Sequence, residues 1–127
     1  MVQSLNTKVD LSIKATSYLG MANYGKVLIG DKAFEFYNEK NVKDYIQIPW
    51  TEVDYVMASV IFKGKWIPRF AIYTKQNGHF IFSTRDNKAT LRVVNQYIPS
   101  DRLVRSLSFF QVIQRGLVGT YRRIFKR

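Results

Sequence analysis

The dipeptide Asn77-Gly78 stands between two runs in which apolar and polar side chains alternate, residues 69–74 and 79–83. Because both residues tolerate positive φ, Asn-Gly between alternating runs is the strongest short-range signal for a β-hairpin. The same alternation recurs along most of the sequence before residue 84. The pattern therefore predicts a fold built mainly from short antiparallel strands.

Five further segments have the pattern of strands, and each is bounded by a turn or a proline. They are residues 9–13, 25–30, 34–36, 45–48 and 53–62. Gly30-Asp31-Lys32 predicts the turn of a hairpin over residues 26–37. Pro49 ends the strand before it because proline cannot donate to a central ladder. We predict seven strands in a bent antiparallel sheet or split barrel, whose apolar face must be covered. The residues expected to be largely buried are Val9, Leu11, Ile13, Phe34, Phe36, Ile46, Ile48, Phe80, Phe82, Leu91 and Val94.

A helix over residues 86–98 is expected to cover that face. Asp86 has the side chain of an N-cap, and Ala89, Leu91 and Val94 follow with helical spacing. Pro99 is expected to end this helix. Residues 1–98 are thus predicted to form one domain, and 99–127 a C-terminal extension.

The segment 101–127 holds seven basic residues and one acid. On a helical wheel its apolar residues fall mostly in one arc and its basic residues in the opposite arc, which predicts a basic amphipathic helix. Such a helix docks on a membrane surface or on a partner, or packs its apolar face on the sheet. The basic residues are Arg102, Arg105, Arg115, Arg122, Arg123, Lys126 and Arg127.

Composition restricts the classes of function. The chain has 127 residues, no cysteine and a formal net charge of +11. Disulfides and thiolate metal sites are therefore excluded, and the charge predicts an anionic partner such as a lipid surface, an acidic protein face or nucleic acid. No apolar run approaches the ~20 residues that a spanning helix needs. We expect a cytoplasmic protein, peripheral at the inner face of the cell membrane.

Two other features of the sequence are candidate sites. Lys63, Lys65, Trp66 and Arg69 surround a tight turn. This turn is either a solvated hairpin tip with its Trp folded back on the core, or a surface for an anionic headgroup. His79 is the only histidine, and without an acid to orient it an exposed turn residue is favoured over a phosphoryl acceptor.

No enzymatic site is predicted. Gly25 and Gly30 have the glycine spacing of a phosphate loop, but Asp31-Lys32 follows where Lys and Ser or Thr are needed. The acids are scattered over turns and strand ends. No catalytic residue, metal site or cofactor is therefore expected.

The order of seven strands and one helix resembles the pleckstrin-homology/GRAM-like plan. Residues 25–37, 48–50, 62–69 and 101–110 resemble the ManO-like family of small proteins encoded beside mannose-type sugar phosphotransferase permeases. The resemblance covers nearly the whole chain. It implies a setting in sugar uptake and no reaction.

Two hypotheses follow. The favoured one is a non-enzymatic regulatory protein that docks on the membrane subunits of the mannose-type permease or on the anionic membrane surface. The alternative is a nucleic-acid-binding regulator of the sugar operon, for which no helix-turn-helix pair is evident. The residues predicted to bind the partner or membrane are Lys63, Lys65, Trp66, Arg69, Arg102, Arg105, Phe109, Phe110, Arg115, Leu117, Arg122, Arg123, Lys126 and Arg127.

Overall fold

The computed structural model describes residues 3–41, 43–60 and 66–107, and within these ranges the protein has eight strands and one α-helix. The strands are β1 Val9–Ser17, β2 Asn23–Gly30, β3 Ala33–Asn38, β4 Tyr45–Pro49, β5 Val53–Val60, β6 Phe70–Thr74, β7 His79–Thr84 and β8 Leu103–Leu107. The helix α1 is Asn87–Val94, and short 3-10 turns occupy Trp50–Glu52 and Ser100–Arg102. The prediction of a mainly β fold with strands in the seven expected places is confirmed.

All eight strands belong to one sheet with the order β4-β3-β2-β1-β7-β6-β5-β8. Neighbouring strands are antiparallel except β5 and β8, which are parallel. The predicted hairpin at Asn77-Gly78 joins β6 to β7, with Tyr73 opposite His79. Gly78 has φ +74°, and its carbonyl accepts a hydrogen bond from Thr74 N at 2.8 Å. Positive φ at the glycine is the conformation that the Asn-Gly dipeptide predicts.

Contacts between phenylalanine rings show that the sheet is strongly bent. Phe34 on β3 and Phe70 on β6 are four strands apart, which is about 19 Å along a flat sheet. Their ring centroids are 6.0 Å apart, and the centroids of Phe34 and Phe82 are 4.9 Å apart. The two halves of the sheet therefore face each other across a shared aromatic core. We call the core side of the sheet the inner face and the opposite side the outer face.

Helix α1 covers part of the inner face, as predicted. The Asp86 side chain caps it by accepting a hydrogen bond from Ala89 N at 3.1 Å. Thr90 and Val94 are buried, whereas Leu91 is only half-buried. The helix is shorter than predicted and ends at Val94, before Pro99, because residues 95–98 form turns that place Ile98 in the core.

The segment after α1 corrects one prediction. A helix was expected from residue 101, but Leu103–Leu107 is a strand that pairs in parallel with β5, from Val56 opposite Leu103 to Val60 opposite Leu107. Leu103 packs against the core. Pairing with an open sheet edge satisfies the backbone of this segment and buries part of its apolar surface. Residues 108–127 lie outside the described residues, so a helix there stays a prediction.

The predicted core is confirmed in its centre and wrong at one end. The buried predicted residues are Phe34, Phe36, Ile48, Phe82 and Val94. The half-buried ones are Leu11, Ile13, Ile46, Phe80 and Leu91. Val9 is exposed. The register shift between Val9 and Leu11 interrupts the alternation, so Val9 does not share the inner face with the residues after it.

Candidate functional site

Most of the residues predicted to bind a partner lie outside the described residues. They are Lys63, Lys65, Phe109, Phe110, Arg115, Leu117, Arg122, Arg123, Lys126 and Arg127. The structure describes Trp66, Arg69, Arg102 and Arg105. These four do not form one cluster, and each has its own surroundings.

Arg102 has a structural role. Its Nε donates to Asp54 O at 2.8 Å, and an η-nitrogen donates to Val53 O. The guanidinium thus binds the backbone at the start of β5. This strand pairs with β8, which begins directly after Arg102. Arg105 is exposed on β8, opposite Ala58. A guanidinium that satisfies backbone carbonyls is less available to an external anion, so Arg102 is not favoured as a binding residue.

Arg69 and Trp66 precede β6. Trp66 is 52% exposed, so its ring is not folded entirely onto the core. The guanidinium carbon of Arg69 lies 5.1 Å from the ring centroid of Tyr18, a cation–π contact. The Tyr18 hydroxyl is in turn 3.0 Å from Ser83 Oγ on β7. Arg69 is thereby placed on the outer face near β1 and β7.

Further cations occupy the same outer face. Lys14 on β1 lies directly opposite Lys26 on β2, and both are exposed. Arg85 follows β7, and its backbone N donates to Lys14 O at 3.0 Å. Alternation along the strands puts these side chains on the face opposite to buried Ala15 and Val27. We call Lys14, Lys26, Arg69 and Arg85 the cationic face.

Among the described residues, none of these four cations forms an ion pair with an acid. All nine acidic residues of the chain lie within the described ranges, against 20 basic residues in the whole chain. Among the described residues the one ion pair joins Lys8 Nζ to Asp10 Oδ1 at 3.8 Å. Like charges directly opposite each other on neighbouring strands are destabilising. The repulsion between Lys14 and Lys26 therefore favours the binding of an anion from outside the chain.

A concavity with a volume of about 400 Å³ opens on this face. The polar and aromatic residues that line it are Lys14, Thr16, Tyr24, Glu39, Ser83, Thr84 and Arg85. Beyond it, the loop between β1 and β2 exposes two apolar side chains, Leu19 at 58% and Met21 at 82%. Gly20 between them has φ +76°. The site thus combines cations, hydroxyl groups and an exposed apolar loop.

Two acids are used to hold the N-terminal segment. Glu35 is fully buried, and its carboxylate accepts from Ser4 Oγ and Leu5 N, both at 2.6 Å. The Asp31 carboxylate accepts from the hydroxyl and backbone N of Thr7 and from Lys8 N. These hydrogen bonds lower the pKa of Asp31 to about 2, the Thr7 hydroxyl having the largest effect. Both acids therefore stabilise the fold, since their carboxylates are engaged by hydrogen bonds from the N-terminal segment.

We expect the lowered pKa of Asp31 to make stability depend on pH between about 4 and 2. The carboxylate is held in its charged form when folded, so its contribution is present above its unfolded pKa of ~3.9 and is lost as pH falls towards the folded value of about 2. The free energy of unfolding, measured in urea, should depend less on pH in this window for Asp31→Asn than for the wild type. Asp101→Asn, at an exposed turn, should leave this dependence unchanged. Parallel curves for wild type and Asp31→Asn would contradict the assignment.

The phosphate-loop spacing of Gly25 and Gly30 has a packing explanation. A Cβ at Gly25 would lie 2.0 Å from Tyr37 O, and one at Gly30 would lie 2.2 Å from Lys8 O. Backbone therefore approaches both glycines closely. His79 is exposed, and its ring stacks on Tyr73 with the centroids 4.8 Å apart. Among the described residues no group of His, Cys, Asp and Glu could hold a metal ion.

The cations of β1 and β2 and after β7 were not predicted as site residues. Lys14, Lys26 and Arg85 are far apart in sequence, and strand register alone brings them together. The strand pattern of residues 9–13 ends just before Lys14, and nothing in the sequence specified which cation on another strand would lie opposite it.

These features define a small, mainly β protein with a cationic outer face. The chain matches the family described as "Domain of unknown function (DUF956)" over residues 1–117, and it belongs to that family. A crystal structure of the C-terminal domain of an unknown protein from Leishmania infantum is similar, with a TM-score of 0.60 and 13% identity. The similarity covers 72% of this chain and 84% of that one, and at this identity it concerns the fold alone. No curated protein matches the chain.

Proposed function

We propose that this protein is a non-enzymatic accessory protein of mannose-type phosphotransferase sugar uptake. It docks at the cytoplasmic face of the cell membrane, on the membrane subunits of the permease or on the anionic surface beside them. The ManO-like resemblance supplies the setting in sugar uptake. The observation that carries the docking is the cationic face, whose Lys14 and Lys26 lie opposite each other with no acid paired to them among the described residues.

The exposed loop between β1 and β2 supports the same proposal. Leu19 and Met21 stand beyond the end of β1, and Arg69 contacts Tyr18, the residue before them. Apolar side chains beside cations suit an interface in which one part is apolar and the other carries anionic groups. No helix of the described residues is long and apolar enough to cross a membrane. The docking proposed is peripheral.

We also propose that the architecture is pleckstrin-homology/GRAM-like. The support is the order of seven antiparallel strands and one helix, with a bend that brings β3 against β6 and β7. Strand β8, parallel to β5, is an addition to that plan. In the part of the chain that the structure describes, Lys14, Lys26 and Arg85 are exposed on the outer face of β1, β2 and β7, where they are available to a partner.

The test is affinity purification of the tagged, full-length protein from native membranes. We expect permease subunits to be recovered with the wild type. A variant lacking residues 120–127 should stay folded and recover less, because basic residues near an anionic surface contribute ~1 kcal/mol each and this tail holds four of them. Thermal melts of both proteins provide the control.

Two results would contradict the proposal. One is the absence of permease subunits and of binding to anionic vesicles. The other is a gel shift with operon DNA at physiological salt as strong as any membrane binding, which would favour the nucleic-acid hypothesis. A truncated protein that recovers the permease fully but has a collapsed melting temperature would make the tail structural and leave the docking to the cationic face.

A further inference from the structure

The concavity on the outer face has a cationic end. Lys14 lies opposite Lys26, and Arg85 is held beside Lys14 by its backbone hydrogen bond of 3.0 Å. An ammonium group supplies a compact charge, and a guanidinium supplies a planar set of donors that matches two phosphate oxygens. Lys14 and Arg85 line this end, and Lys26 on the neighbouring strand adds positive charge beside it, which suits a dianion such as a phosphomonoester.

The other end of the concavity has different chemistry. Thr16 lies opposite Tyr24 on β2 and opposite Ser83 on β7. Glu39 is held there because its backbone N donates to Tyr24 O at 3.0 Å. Hydroxyl groups both donate and accept hydrogen bonds, whereas an ionised carboxylate only accepts. This end is therefore suited to the hydroxyl groups of a ligand, and the exposed Tyr24 ring offers an apolar surface to its carbons.

The two ends are separated by two residues of β1, from Lys14 to Thr16, or roughly 7 Å at ~3.4 Å per residue. We propose that the concavity binds a phosphomonoester of a polyhydroxylated ring, with the phosphate at Lys14 and Arg85 and the hydroxyl groups towards Glu39. Its volume of about 400 Å³ is within the range of small-ligand sites.

Glu39 distinguishes this ligand class from a bare anion. A carboxylate in the lining opposes inorganic phosphate by charge repulsion, but it accepts hydrogen bonds from neighbouring hydroxyl groups. A dianion at the other end also relieves the repulsion between Lys14 and Lys26. The chemistry is shared by a soluble sugar phosphate and by the phosphorylated inositol headgroup of a lipid. The site goes beyond membrane docking, since a soluble ligand can bind whether or not the protein docks.

Calorimetric titration of the full-length protein tests the proposal with glucose 6-phosphate, glucose and inorganic phosphate, at fixed ionic strength. A second arm uses phosphatidylcholine vesicles with and without phosphatidylinositol 4-phosphate. We expect glucose 6-phosphate or the phosphorylated vesicles to bind at least about tenfold more tightly than glucose or phosphate, because only they engage both ends. Binding of glucose 6-phosphate identifies a soluble ligand. Binding of the phosphorylated vesicles alone identifies a lipid headgroup.

Variants show whether the concavity is the site. Lys14→Gln and Arg85→Gln should each weaken binding about tenfold or more. Glu39→Gln should weaken binding of the phosphorylated ring and leave the weak binding of inorganic phosphate unchanged or stronger. The matched control is Lys32→Gln, an exposed lysine in the turn at the far end of β2. Changes in the backbone amide NMR chemical shifts of Thr16, Ser83 and Arg85 on addition of ligand report where the ligand binds, independently of the variants.

The proposal is overturned if neither arm shows binding. It is also overturned if inorganic phosphate binds as tightly as the phosphorylated ring, or if Lys14→Gln and Arg85→Gln, shown to be folded by thermal melts, keep wild-type affinity. Shifts confined to other residues would likewise place the ligand elsewhere.

Discussion

Replacement of Phe82 by alanine should lower the free energy of unfolding by about 3–5 kcal/mol. The Phe82 side chain is fully buried, and its ring centroid lies 4.9 Å from that of Phe34 and 6.0 Å from that of Phe36. These rings come from the two halves of the bent sheet, so the truncation removes contacts that hold the halves together. Urea unfolding followed by circular dichroism measures the loss.

Phe80→Ala is the matched control for this prediction. Phe80 is on the same strand and has the same side chain, but it is only half-buried. Its truncation should therefore cost clearly less, since the lost apolar area and the cavity are both smaller. Equal losses at the two positions, or a loss of less than about 1 kcal/mol at Phe82, would show that the aromatic contact is not what closes the sheet.

The strands that pair with their sequence neighbours were predictable because their signals are local. Gly78 adopts the positive φ that its position in the turn requires, and Gly30-Asp31-Lys32 joins β2 to β3 as expected. Alternation also identified Phe34, Phe36 and Phe82 as core residues. It failed at Val9, where a shift in register changes the face of the side chain without a signal in the sequence.

Strand β8 was not predicted because its spacing fits two structures. Leu103 and Leu107 are four residues apart, which places both on one face of a helix and equally on one face of a strand. The basic, amphipathic residues that follow favoured a helix over the whole segment. The structure resolves this ambiguity through a contact distant in sequence, the open edge of β5. Parallel pairing of this kind needs a long crossover, so its partner is not visible locally.

The binding residues were predictable only where charge is dense in the sequence. The basic tail was identified in this way, but it lies outside the described residues. Lys14 and Lys26 are single cations among polar and apolar neighbours, and their alignment depends on the register of β1 and β2. Arg69 was predicted for its place in a basic turn, whereas the structure brings it to Tyr18 at the end of β1, two strands away from β6.

Reversal of one charge on the cationic face should weaken binding without lowering the stability of the fold. Lys14→Glu replaces an attractive charge by a repulsive one, a change of about 2 kcal/mol at an anionic membrane surface, or roughly 30-fold in affinity. The same substitution places a carboxylate opposite Lys26, where an opposite-charge pair contributes roughly 0.2–1 kcal/mol to a sheet. We therefore expect weaker binding to anionic vesicles and permease membranes together with an unchanged or raised melting temperature.

Lys32→Glu is the control, because it makes the same change in net charge at an exposed position in the turn after Gly30, which is itself about 14 Å along β2 from Lys26. It should reduce binding much less, since charges separated by more than the ~10 Å Debye length at 0.1 M salt are largely screened. Raising the salt to 1 M should also weaken wild-type binding and narrow its difference from Lys14→Glu. Equal effects of the two substitutions would show that net charge, rather than this face, attracts the partner. Full binding by a stable Lys14→Glu protein would remove the cationic face from the interface and leave the basic tail as the remaining candidate.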